Sequence, residues 1–153
     1  MMKRKSINER IVSIFIGVAA LVYMGYSTFG INLAEKDIMY FMYIVLIIPV
    51  VIVTVFGIYI GRGKTIIQSL PKLSIVGIAV FIGSCVSMLY MYNTGYVFEM
   101  LSNTATESSI VLNINDSVTL GTVIQQGLIF LVCGCIGTLV GNKSSKILQK
   151  VKN

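Results

Sequence analysis

The chain has 153 residues, of which 56% are hydrophobic, 12% are charged and none is histidine; its net charge is +6 and its mean hydropathy +0.86. A soluble domain of that composition would expose large apolar patches, which excludes one and points to a membrane protein. Without histidine, and with so few carboxylates, neither metal-dependent hydrolysis nor acid–base catalysis near neutral pH has its usual groups.

Four stretches reach the roughly 20 apolar residues that a crossing requires. Lys3, Arg4, Lys5 and Arg10 precede the first, residues 11–29. A basic start followed by an apolar run has the outline of a secretory signal. The run is long for one, however, and residues 25–30 offer no small-x-small cleavage site, so a retained helix is expected. The second stretch is 38–60, with Pro49 at its middle. Pro49 lacks an N–H and predicts a packing kink. Arg62, Lys64 and Lys72 then separate it from the third stretch, 73–92.

Residues 93–117 form the longest piece outside the predicted spans. They hold a short apolar turn, a Ser/Thr/Asn-rich stretch, and Asn93, Tyr96, Glu99, Glu107 and Asp116. This loop is the first candidate for recognising an external ligand or partner. The fourth stretch, 119–140, begins near Gln125 and Gln126. One of these glutamines is expected to bond across helices and the other to reach the interface. Lys143, Lys146, Lys150 and Lys152 follow it. Residues 64–70 and 143–152 mix Lys with Ile, Leu and Val, and read as short amphipathic helix ends lying on anionic lipid.

Eleven of the twelve Lys and Arg residues thus fall on one side of the pattern. The other side has Lys36 among Glu35, Asp37, Glu99, Glu107 and Asp116. Basic residues in short loops stay in the cytoplasm. The expectation is a multi-pass plasma-membrane protein with both termini inside. Tyr23, Tyr26, Tyr40, Tyr43, Tyr90, Tyr92 and Tyr96 would form an aromatic belt at the outer head groups.

The chain also reads as two tandem units, 1–70 and 71–153, within a single four-helix domain. Residues 15–28 align without gaps on 81–94, pairing Phe, Ile, Gly, Tyr and Thr with themselves. Gly57 and Gly61 correspond to Gly137 and Gly141, and residues 66–70 to 147–151. Two spans per unit give both units one orientation, so the repeat axis lies along the membrane normal. The longer outer loop distinguishes the second unit.

Glycines four apart let helix backbones approach closely in lipid. Gly57 with Gly61 and Gly137 with Gly141 predict packing of spans two and four. Gly17 (with Ser13) and Gly83 (with Ala79 and Ser87) extend the pattern to spans one and three. Cys85, Cys133 and Cys135 all lie in spans, where apolar surroundings make thiols inert, and they read as packing residues. Met39, Met42, Met88 and Met91 are soft enough for Cu(I), but no His or exposed Cys accompanies them. Adaptable apolar filling is the plainer account, and no cofactor or metal is expected.

On this reading the protein is not an enzyme. The expected function is an accessory, scaffold or immunity-type subunit acting by helix–helix association, with the bilayer and itself or another membrane protein as partners. Dispersed charge without a nucleic-acid-binding motif excludes nucleic acid. Two alternatives stand beside it: a homo-oligomeric channel or facilitator for a small solute, and a thiol-redox or Cu(I)-handling protein.

Overall fold

The computed structural model describes residues 2–30, 38–105 and 120–152. They are entirely helical apart from short turns, and four helical spans are long and apolar enough to cross a membrane. In chain order the helices are α1 (Met2–Phe29), α2 (Ile38–Met42), α3 (Ile48–Gly61), α4 (Ile66–Asn93), α5 (Tyr96–Ala105) and α6 (Leu120–Lys152). A π-helical turn, Tyr43–Ile47, joins α2 to α3, so these three pieces make one crossing. The fold class expected from hydropathy is the one found.

Helix α3 lies along α6, and α1 lies along α4. Successive crossings run antiparallel, so each of these two pairs is parallel. Between the pairs sits a core of Ala20, Val53, Phe56, Ile60, Leu73, Val76, Val80 and Phe130. Helices touching lipid on their outer faces need no polar surface there. Phe15, Val22, Val51, Val55, Leu128 and Leu131 accordingly remain exposed.

One end of the bundle gathers the start of α1, the α3–α4 turn and the far part of α6. Glu9 pairs with Lys64 and Lys72, and the Gly63 amide donates to Ser145 Oγ at 3.0 Å. Gly63 makes that turn at φ +69°, where a side chain would be strained. At the opposite end α4 stops at Gly95, φ +79°, and α5 folds back. Its Val97 is buried with Ile44, Val45, Met88 and Met91. Expected as a loop with a short apolar turn, residues 96–105 form this helix instead.

Two boundaries also differ from the sequence reading. Thr65 and Gln68 close a capping box, so residues 66–70, read as an amphipathic helix end, are the start of α4 itself. Residues 143–152 likewise continue α6 without a break. At 1.5 Å per residue its 33 residues reach about 50 Å, beyond the roughly 30 Å of hydrocarbon. The two segments aligned in the repeat, 66–70 and 147–151, therefore sit at the beginning of one helix and the end of another.

Candidate functional site

The glycines of spans two and four form a seam inside the chain. A Cβ placed on Gly57 would stand 2.6 Å from the Gly134 carbonyl oxygen and 3.3 Å from Gly137 Cα. On Gly61 it would strike the Thr138 carbonyl, on Gly137 that of Thr54, and on Gly141 that of Ile58. Thr54 and Ile58 stand three residues before Gly57 and Gly61, as Gly134 and Thr138 stand three before Gly137 and Gly141. The contacts are thus reciprocal, in the register that aligns the glycine pairs. Backbone meets backbone, which leaves no room for side chains.

Helices α1 and α4 meet differently. A Cβ on Gly17 would lie 3.2 Å from Ala79 Cβ, and one on Gly83 would lie 3.0 Å from Met24 Sδ. The alignment pairs Gly17 with Gly83, yet each packs against another residue, so no reciprocal seam forms. Near the end of this pair away from Glu9, Thr28 donates to Ser87 Oγ at 2.8 Å, both buried.

A buried polar node ties three crossings together. Pro49 cannot supply the N–H that an α-helix would aim at the carbonyl four residues back, that of Val45. The backbone passes through the π turn there, and the Ile48 amide reaches Tyr43, five back. The Val45 oxygen is taken up from outside the helix. Ser84 Oγ on α4 donates to it at 2.6 Å, and Gln126 Nε2 on α6 at 2.7 Å. Gln126 Nε2 also donates to Ser84 Oγ at 2.6 Å. Of the two adjacent glutamines, Gln126 is buried and Gln125 is exposed.

The third constellation is ionic. Both Lys64 Nζ and Lys72 Nζ donate to the same oxygen, Glu9 Oε2. Lys72, expected in the loop, belongs to the second turn of α4 and is buried. Its head group is paired with Glu9. Glu9 carried no signal among the surrounding basic residues.

An apolar groove of about 340 Å³ runs between α4 and α6, with Val53 of α3 among its lining residues. Leu70, Ser74, Gly77, Phe81, Gly127 and Cys135 line it. Gly77 has nothing within 4 Å of the place a Cβ would occupy.

The remaining expected site residues scatter. Asn93 and Glu99 are exposed, and Tyr96 is half-buried with its ring 6.2 Å from Tyr90. Glu107 and Asp116 lie outside the described residues. Met39 and Met42 are exposed, whereas Met88 and Met91 are buried in the core cluster beside α5, so the two pairs face different surroundings. The tyrosines divide as well. Tyr23, Tyr26 and Tyr43 are exposed on the bundle surface, while Tyr40, Tyr90, Tyr92 and Tyr96 pack around the core cluster beside α5. Cys85, Cys133 and Cys135 are unpaired thiols.

These features define a four-span α-helical membrane protein with an apolar groove between α4 and α6. No protein-family model matches the chain, and comparison with curated proteins and with solved structures likewise gives no match.

Proposed function

We propose that this is a non-enzymatic accessory subunit of the plasma membrane, which receives a transmembrane helix of another membrane protein in the α4–α6 groove. The observation that carries the reading is where the small residues are used. Gly57, Gly61, Gly137 and Gly141 are consumed within the chain, while Ser74 and Gly77 line the groove and nothing in the chain covers Gly77. Small residues on an open wall let an incoming helix approach closely, the principle the molecule already applies to itself along α3 and α6.

Photo-crosslinking from a reactive side chain placed at Ile78, on the groove wall, tests this in native membranes. A single heterologous membrane protein is expected in the product, and Gly77→Leu should abolish it without lowering the melting temperature. A crosslink to a second copy would make the occupant this same protein. No crosslink at all, with solute-specific leak in proteoliposomes, would favour a channel instead.

The orientation forms part of the proposal: both termini, and the end bearing Glu9, Lys64 and Lys72, face the cytoplasm. The positive charge at that end supports it. A single cysteine at position 146, in a variant without the native three, should react with an impermeant thiol reagent in inverted vesicles and not in intact cells. Labelling from outside intact cells would refute this orientation.

A further inference from the structure

The ionic cluster leaves a charge uncompensated. Arg10, Arg62, Lys64, Lys72, Lys143 and Lys146 belong to this end, and Glu9 is its only carboxylate among the described residues. Within the cluster two ammonium groups share one carboxylate oxygen, and the side chains of Lys72, Glu9 and Lys64 retain 10%, 14% and 25% exposure. The triad carries a net charge of +1 in a place from which water is largely removed. Repulsion between its two cations is weakly screened there. Each ammonium has three N–H donors, and each directs one at Glu9.

We propose that Lys64 and Lys72 form a binding site for a phosphate group, that of an anionic phospholipid, with Glu9 holding the two ammoniums together. One further negative charge makes the site neutral, and a phosphate oxygen accepts the donors that Glu9 does not use. The site sits where the apolar spans of α1 and α4 begin, at Asn8 and Ile66, the part of a crossing that meets head groups. Lys64, the most exposed member, is the side from which a head group enters. A soluble phosphate has the same chemistry, so the experiment separates the two sources. The inference is independent of the groove and of its occupant.

The test uses the full chain in nanodiscs of phosphatidylcholine with increasing phosphatidylglycerol, following the melting temperature to find the half-saturating lipid fraction. Lys64→Gln should raise that fraction by about fivefold or more, because it removes a charge-assisted bond to the phosphate. The double change Lys143→Gln with Lys146→Gln leaves the triad intact and should raise it less, through diffuse attraction alone. Glu9→Gln removes a competing carboxylate. It should melt low in pure phosphatidylcholine and recover with phosphatidylglycerol.

Several results would overturn the proposal. One is equal half-saturation for wild type and Lys64→Gln. Another is an equal loss in the Lys143/Lys146 variant, which would mean diffuse attraction. A third is a Glu9→Gln deficit unaffected by lipid, which would mean an ion pair alone. Inorganic phosphate reproducing the shift in pure phosphatidylcholine would overturn the lipid as the source.

Discussion

Replacing Gly61 or Gly141 by isoleucine is expected to lower the melting temperature in detergent well beyond what a change at a lipid-facing position does. At both positions the new Cβ alone collides with a backbone carbonyl of the facing helix, that of Thr138 or of Ile58. Backbone cannot rotate aside as a side chain can. The helices must separate along the seam, and the contacts of Gly57 and Gly137 loosen with them. Overpacking on this scale costs about 1–3 kcal/mol. For a chain of this size that is roughly 2–12 °C, at about 2–4 °C per kcal/mol.

Gly77→Ala supplies the control, because nothing lies within 4 Å of its new methyl. It should leave stability unchanged or raise it by up to about 1 kcal/mol, since alanine holds a helix better than glycine. Wild-type melting for both isoleucine variants would show that the seam is not closed as described. An equal fall for Gly77→Ala would show that the helices respond to any added side chain.

Why some of this was legible in the sequence, and some not, follows from what each residue contributes. Hydropathy locates the crossings because lipid demands continuous apolar surface, and four stretches met that demand. The glycine pairs announce a close approach because they recur at equivalent positions of spans two and four, where glycines four apart let backbones meet in lipid. Their common offset even suggested which pair faces which. Helix starts were harder to place. The capping box at Thr65 and Gln68 begins α4 several residues before the apolar run, which moves Lys72 from loop to helix. Helix α5 was missed because its ten residues have no length signal, although Gly95 and the burial of Val97 explain it afterwards. Glu9 was invisible in another way. Its partners come from residues more than fifty positions away, and one acidic side chain among basic ones looks like solvent-facing charge.

The polar node was half legible. In the sequence Pro49 reads as a kink, and one of the pair Gln125 and Gln126 as able to bond across helices, with nothing to tell which. Their meeting point could not be seen, because Val45 contributes a carbonyl and its side chain reads as ordinary core. The structure makes the proline the cause and the glutamine the remedy. Without the residue 49 N–H, the Val45 oxygen has to find donors on α4 and α6.

That causal link predicts non-additive mutations. Removing both outside donors, Ser84→Ala with Gln126→Leu, strands a buried carbonyl, at about 1–3 kcal/mol. Single changes should cost less than about 1 kcal/mol each, since interhelical bonds in membranes average about 0.6 kcal/mol. Pro49→Ala restores an N–H at the required position and lets the π turn rewind into an α-helix. In that background the loss of Ser84 and Gln126 should be at most half as costly, a coupling of about 1 kcal/mol between residues on different helices. Unfolding the four proteins of this cycle in one detergent measures it. Additive losses would mean that the proline and the two donors act separately, and that the π turn has some other origin. Gly127 follows Gln126, and Phe81 lies one turn before Ser84, so the node also fixes one end of the groove. The same Ser84/Gln126 variant should therefore weaken crosslinking from Ile78, and Pro49→Ala should restore it in step with stability.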